Sequence, residues 1–472
     1  GKLELNGYKQ AVAFLNSNNS VGGTGVVTNS SSTLATLTTT GNTTTFNGSL
    51  TGNLAFTNHS AMTLTNVNSY TGATIVRANS LTLRDSGTLS GTSSIGVNFA
   101  TLNWDDSGLS TFDNLSPVRI NAATTVSLQG GSLTITGGGS LDTNVVLNNL
   151  VIQRGGSTIT VTPAANAGSA VSLSIGSLTR TDSDRSMVNF VAGNGVGMGG
   201  TGNNNNAAVQ ISLINGVGVS ASQLVNKLIG GWAVVNGDSF ATYKDGVGIG
   251  ALSSVVGGNV FAGGNAFPTY DGFDITSASS LSTWNISDGN SPTLLVSKTV
   301  NSLRYTGGTL TLGNGTTAVT LTLNVGLLTN SGASNINAGN AASTLTGTGP
   351  DFFAYINQGT TAFNIKITGA ISLVKGGGGA LTLNPGTGVS NDYTGGTFVD
   401  GGTLNLNGAA GTIVIPGDLT INNSTVTMSN ANKFNATTGQ IASGSNVTLN
   451  GGSLLNFFNY TTAATTTLAS IT

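Results

Sequence analysis

The chain has 472 residues, 70 of them glycine and only 7% charged, with a formal net charge of −2 and no cysteine. Charge this far below the usual ~25%, with a hydrophobic share of 38%, excludes an ordinary disordered chain and a charged coiled coil. With 15 basic against 17 acidic residues there is no basic face for nucleic acid; 7 prolines and irregular glycine exclude collagen; and lack of cysteine excludes disulfides, thiolate metal sites and a cysteine nucleophile.

The chain opens on Gly1-Lys2-Leu3-Glu4-Leu5, which reads as the interior of a strand, and closes on Thr467-Leu468-Ala469-Ser470-Ile471-Thr472 without a cap. Both ends read as mid-coil, as in a processed product or a fragment. Period-two alternation then recurs along the chain: Leu81-Thr82-Leu83, Ser132-Leu133-Thr134-Ile135-Thr136, Leu310-Thr311-Leu312, Leu321-Thr322-Leu323-Asn324-Val325, Leu404-Asn405-Leu406 and Leu419-Thr420-Ile421-Asn422. Such segments are short strands with one buried face, and the outward residues are Thr, Ser and Asn rather than Lys or Glu. Glycine corners separate them, at Gly130-Gly131, Gly137-Gly138-Gly139, Gly313-Asn314-Gly315 and Gly401-Gly402. The one helical pattern is Ser220 to Leu228, with Leu224, Val225 and Leu228 on one face, and it predicts two turns at most. No apolar run approaches the ~18–20 residues that span a bilayer.

A longer unit is used twice. Asn68-Ser69-Tyr70-Thr71-Gly72-Ala73-Thr74-Ile75-Val76, followed by Leu81-Thr82-Leu83, matches Asn391-Asp392-Tyr393-Thr394-Gly395-Gly396-Thr397-Phe398-Val399, followed by Leu404-Asn405-Leu406. Upstream, Gly52, Leu54 and Phe56 answer Gly369, Ile371 and Leu373; after a small length change, Met62 and Leu64 answer Leu381 and Leu383. A weaker copy is Ser302-Leu303-Arg304-Tyr305-Thr306-Gly307-Gly308-Thr309-Leu310. One strand–turn–strand unit cannot bury its apolar face alone, but stacked units can, which predicts a solenoid. At roughly 20–25 residues per coil the chain makes on the order of 20 coils, a rod of about 100 Å.

The segment from Gly369 to Leu406, with its Lys375-Gly376 turn, Leu381-Thr382-Leu383 strand and Tyr393-Thr394-Gly395-Gly396-Thr397 motif, resembles the autotransporter-associated β-strand repeat, also called the passenger-associated transport repeat. The Tyr70 copy has Ala73 in place of the second glycine. Ile229-Gly230-Gly231-Trp232-Ala233 and Phe240-Ala241-Thr242-Tyr243 are similar to segments of large repeat proteins of this type. The resemblance implies an all-β, elongated, right-handed parallel β-helix outside a bacterium, and it brings no catalytic residues with it.

Three regions follow: coils with the first repeat copy over 1–186, irregular coils or a side lobe over 187–295, and coils with the second copy over 296–472. The middle region holds the Asn203-Asn204-Asn205-Asn206 loop and both Trp232 and Trp284, with Trp104 outside it.

Chemistry-bearing residues are few. The single histidine, His59, reads as an exposed turn residue. Solenoid polysaccharide lyases and hydrolases need acidic clusters beside Arg or Lys. The candidates for such a cluster, or for calcium, are Asp105-Asp106, Arg180-Asp182-Asp184-Arg185, and Asp271 and Asp274 beside Tyr270. On a strand Asp182 and Asp184 would share a face, with Arg180 and Arg185 neutralising them locally. Gly376-Gly377-Gly378-Gly379 is followed by neither Lys-Ser nor Lys-Thr, so it reads as a corner rather than a phosphate loop. The pairs Thr63 and Thr65, Thr134 and Thr136, Thr158 and Thr160, Thr320 and Thr322, and Thr425 and Thr427 could form an ice-binding ladder, but their uneven spacing reads as outward strand residues. Sequons such as Asn18-Asn19-Ser20 and Asn42-Thr43-Thr44 arise by chance in this composition.

No catalytic, cofactor-binding or metal-binding residue is therefore assigned. The expected protein is a structural extracellular β-solenoid, a surface stalk or filament subunit that associates with itself. The alternative is an adhesin or carbohydrate-binding passenger with an aromatic patch around Trp232, Tyr243 and Tyr270, taking a glycan or other surface ligand. A polysaccharide-degrading enzyme stands third. Neither nucleic acid nor membrane insertion by this segment is expected.

Overall fold

The computed structural model describes residues 1–17, 25–109, 118–139, 142–164, 169–199, 206–253, 260–261, 265–277, 282–330, 332–409, 411–428, 440–457, 468 and 470–472. The Asn18-Asn19-Ser20 sequon, Asn203 to Asn205, and Thr467 and Ala469 lie outside the described residues. The chain divides into two compact units, one of Gly1–Gln223, Tyr243–Gly250 and Val260–Ala266, the other of Leu224–Thr242, Ala251–Asn259 and Phe267–Thr472.

In the first unit one sheet stacks Lys9–Val12, Ala35–Thr39, Leu54–Asn58, Thr74–Arg77, Ser94–Asn98, Thr125–Gln129, Thr143–Gln153, Val171–Arg180 and Ala207–Ile214 in parallel. A second stacks Thr44–Phe46, Met62–Leu64, Ser80–Arg84, Thr101–Asp105, Ser132–Thr136, Gly156–Thr162 and Met187–Ala192. A third, short sheet holds Lys2–Glu4, Val26–Asn29 and Ser49–Gly52. Each strand pairs with its counterpart one coil later, which is a parallel β-helix.

The alternation in the sequence becomes columns in space. Met62, Leu81, Leu102, Leu133, Ile159 and Phe190 stack inward, one per coil. Beside them run Phe46, Leu64, Leu83, Trp104, Ile135, Val161 and Ala192. All are buried. The outward residues also align, as Thr45, Thr63, Thr82, Asn103, Thr134 and Thr160. Threonines that are unevenly spaced in sequence therefore share one column. The unequal lengths lie in the corners, while the strand register advances by one coil each time.

In the second unit one sheet runs through Asn285–Asp288, Lys298–Tyr305, Thr320–Thr329, Asp351–Ile356, Ser372–Gly376, Thr397–Val399, Leu419–Asn422, Asn446–Asn450 and Ser470–Ile471. Its companion holds Thr293–Leu294, Gly308–Leu312, Ala333–Ala338, Thr360–Asn364, Ala380–Leu383, Thr403–Leu406, Thr425–Met428 and Leu454–Phe457. Leu310, Ile336, Phe363, Leu383, Leu406 and Met428 form one inward column of a continuous core. Ile286, Leu303, Leu327, Ala354, Lys375, Val399 and Ile421 form another.

Here single-face burial fails in an informative way. Leu328, Phe353, Tyr355 and Val374 alternate with the inward column, yet all are buried. Residues 224–242 lie over this outer face. A Cβ on Gly231 would come within 2.5 Å of the Val325 side chain and 2.6 Å of the Phe353 ring. Asp238 accepts from Arg304 Nη2 at 2.6 Å and from Asn330 Nδ2 at 2.7 Å. The continuous apolar run Phe352-Phe353-Ala354-Tyr355-Ile356 is the mark of a strand covered on both sides.

The helix expected over Ser220 to Leu228 is absent. Only Ala221–Gln223 forms a 3-10 turn. Asn226 and Lys227 take left-handed φ values of 51° and 67°, which end any helix. Tertiary partners hold them there: Asn226 donates to Asn301 at 3.1 Å, and Lys227 pairs with Asp271 and donates to Thr269 O at 3.2 Å.

Because each coil touches only its neighbours, damage stays local. Leu383→Ala should destabilise its unit by about 2–5 kcal/mol. Hydrogen exchange should then rise in the coils of Phe363 and Leu406 and stay unchanged around Ile286 and Leu303. A uniform rise along the whole unit would refute this nearest-neighbour picture.

Candidate functional site: the repeat corner

The duplicated motif has a physical role at each position. Its asparagine joins three coils. Asn68 Oδ1 accepts the Leu50 N–H of the preceding coil at 2.9 Å, and its Nδ2 donates to Thr88 O of the following coil at 3.0 Å. Asn391 repeats this with Ile367 N–H and Val414 O, both at 2.8 Å. The backbone beside each asparagine keeps its own bonds to neighbouring coils, as Ser69 N–H to Leu50 O and Asn391 N–H to Ile413 O, both at 2.9 Å, show, and the side-chain amide adds one acceptor and one donor to them.

The tyrosines are fully buried, each with its hydroxyl on the threonine four residues on. Tyr393 bonds Thr397 Oγ1 at 2.6 Å, and Tyr70 bonds Thr74 Oγ1. Burial pushes both phenols above their usual range, against the pull of these hydroxyls. Tyr70 also meets Phe56 edge-on, with ring centroids 6.3 Å apart.

The first glycine is required by space rather than by φ. A Cβ on Gly72 would lie 2.5 Å from Leu54 O, and one on Gly395 would lie 2.6 Å from Ile371 O. The second position is roomier. A Cβ on Gly396 meets only the Phe398 ring at 3.2 Å and Asp418 O at 3.4 Å, so the first copy can carry Ala73.

Lys375 occupies an inward column, buried between Ala354 and Val399. Its Nζ donates to Gly377 O at 2.7 Å, Gly379 O at 2.6 Å and Gly401 O at 2.6 Å. Burial pulls its pKa down to about 7, and the Asp400 carboxylate acts the other way. In the first copy Asn58 stands at this place, fully buried, and donates to Ser60 O at 2.7 Å and Ser80 O at 3.1 Å.

The acids singled out from sequence are dispersed and structurally engaged. Asp105 points outward to Arg84 at 3.0 Å, whereas Asp106 points inward to Arg119 at 2.6 Å, so the two do not cooperate. Arg119 is fully buried and makes further bonds to Asp85 O, Gly87 O and Asp105 O at 3.1, 2.9 and 2.9 Å. Asp182 and Asp184 lie on a 3-10 turn, Asp182–Asp184, not on a strand, so the shared-face argument does not hold. Asp182 takes the Arg180 guanidinium at 2.6 Å, and Arg185 Nη1 donates to Asp182 O at 2.5 Å. Asp271 pairs with Lys227, and Asp274 accepts from Thr276 N–H at 2.7 Å. Among the described residues no three His, Cys, Asp or Glu side chains gather as a metal site would require.

His59 is half-buried rather than exposed. It lies between the buried Asn58 and Ser60, and its backbone N–H donates to Thr39 O at 2.9 Å. Trp232, Tyr243 and Tyr270 are each buried, and Tyr270 bonds Ser239 Oγ at 3.0 Å; they form no exposed aromatic patch. Sequence reasoning missed Arg119 and the lysine cage. A lysine at an inward parity position, two residues after Leu373, was the available signal.

The family model described as the passenger-associated-transport-repeat matches residues 61–78 and 373–406. The chain thus carries two stretches of this repeat, set on a parallel β-helix, and they contain the tyrosine–glycine–threonine corners just described. No curated protein and no solved structure gives a significant match.

The corner geometry predicts a contrast. Gly395→Ala should destabilise by at least about 1–3 kcal/mol, whereas Gly396→Ala should stay within about 1 kcal/mol, both read by denaturant unfolding. Equal effects would contradict the close-approach explanation. Asp105 yields a pH prediction. Burial raises its pKa, but bonds from Ser107 and Arg84 outweigh this and hold it below the usual carboxylate range. Its contribution is complete above the unfolded value, about 3.9, and is lost as pH falls through the lower folded value. The stability difference between wild type and Asp105→Asn should therefore shrink below about pH 4.

Proposed function

We propose that this chain is a structural passenger, a β-solenoid stalk or filament subunit displayed on or released from a bacterial surface. The observation that carries this reading is the coincidence of the transport repeats with stacked inward columns in each unit. The repeat gives the route out of the cell, and the columns give a scaffold whose stability is a sum of neighbour contacts. No helix among the described residues is long and apolar enough to cross a membrane. The outward column from Thr45 to Thr160 is threonine and asparagine, and a net charge of −2 leaves little long-range repulsion between subunits, which supports self-association.

Electron microscopy of native material beside the purified chain tests the proposal. Fibres with a regular axial repeat are the outcome expected of a filament subunit, and single rods that of a stalk. Globular particles without a rod would overturn both. Specific binding on a glycan array would move the assignment to an adhesin. Turnover of a polysaccharide that disappears in Asp182→Asn would move it to an enzyme.

A further inference from the structure

We propose that the glycine corner around Lys375 is a primary-ammonium site that the chain fills with its own side chain. Three carbonyl oxygens, those of Gly377, Gly379 and Gly401, converge on one nitrogen at 2.6–2.7 Å. An ammonium carries three N–H donors and no acceptor, so its number of donors matches the number of oxygens. A neutral amine has two N–H donors and would give up one of the three bonds, and only Gly379 O has a further donor among the described residues, the Thr403 N–H at 3.3 Å. Two oxygens come from the lysine's own corner and the third from the next coil, so the cation joins successive coils.

The surroundings are built for this occupant. A Cβ on Gly402 would lie 2.7 Å from Nζ and 2.3 Å from Gly379 O, so a side chain there would close the cage. Gly377 and Gly402 hold φ values of 79° and 63°, which turn the carbonyls toward the cation. Asp400 is the charged group that faces the site; it is buried, and its Oδ1 accepts Asn422 Nδ2 at 2.7 Å. Burial alone favours loss of the proton, and the carbonyl cage and Asp400 oppose that loss. The first repeat copy supports the reading independently. There Asn58 donates to the carbonyl two residues on and to Ser80 O of the next coil, so the corner demands donors even where no cation is present.

The test is thermal unfolding of the full chain as wild type, Lys375→Ala and Lys375→Met. Lys375→Ala removes the atoms of n-propylammonium, which serves as the probe. The variant should lose about 5–10 °C in midpoint. Millimolar n-propylammonium should restore most of that loss saturably, while n-propanol and tetramethylammonium should not. Lys375→Met, whose stem refills the channel, should stay folded, melt below wild type and ignore all three probes. A Lys375→Met chain as stable as wild type would overturn the proposal. So would a folded Lys375→Ala chain that n-propylammonium does not rescue, or one that n-propanol rescues equally well. If Lys375→Ala does not fold, the Lys375→Met comparison decides.

Discussion

A chain that stacks on itself at the ~4.8 Å spacing of paired strands satisfies its strands automatically and leaves its corners short of donors and of room. Between strands the ladder is irregular, with single bonds such as Gly72 N–H to Leu54 O and Gly395 N–H to Ile371 O, and the coil below sits within van der Waals reach. The glycines, asparagines and lysine of the repeat answer one or other of these two shortages. Gly72 and Gly395 give room where a Cβ would strike the carbonyl beneath. Asn68 and Asn391 return a donor to one neighbouring coil and an acceptor to the other. Lys375 supplies donors alone, two to its own corner and one to the next coil.

Arg119 follows the same rule on a larger scale. Its guanidinium binds Asp106 and main-chain carbonyls from two coils, and it is fully buried. A buried ion pair adds little net stability against an apolar substitute, but removal of one partner would strand the other. The scarce charges of this protein are thus divided between two settings. Some, such as Arg84 and Asp105, lie outside in pairs that solvent screens. Arg119, Asp106 and Lys375 lie inside, where they supply what the corner backbone lacks.

The strands are legible in the sequence because their alternation is a local property. The parallel β-helix is legible too, because the two motif copies require stacking. Three features are not, and each depends on distant residues. Ser220 to Leu228 has a helical pattern, but Asn226 and Lys227 are held left-handed by Asn301 and Asp271. Asp182 and Asp184 read as one face of a strand, but that strand ends at Arg180. The outer face of Leu328, Phe353 and Tyr355 looks exposed by parity, and only the segment over it explains its burial. The unbroken run from Phe352 to Ile356 is the one local hint.

The inward columns have a further consequence. Leu81, Leu102 and Leu133 occupy equivalent places, so a chain displaced by one whole coil would meet nearly the same apolar partners. Apolar stacking is close to translationally degenerate, and it would tolerate such a slip much as a coiled coil of uniform leucines tolerates several registers. Buried polar residues break the degeneracy. Asn58 finds its match in Thr39 and Ser60, at 2.8 and 3.0 Å, and Lys375 finds its match only among the oxygens of Gly377, Gly379 and Gly401. Shifted by one coil, Asn58 would lose Thr39 and Ser80 O and Lys375 would lose Gly401 O, while only the bonds within their own coils would move with them. The few polar groups in the core therefore act as address labels along an otherwise repetitive lattice.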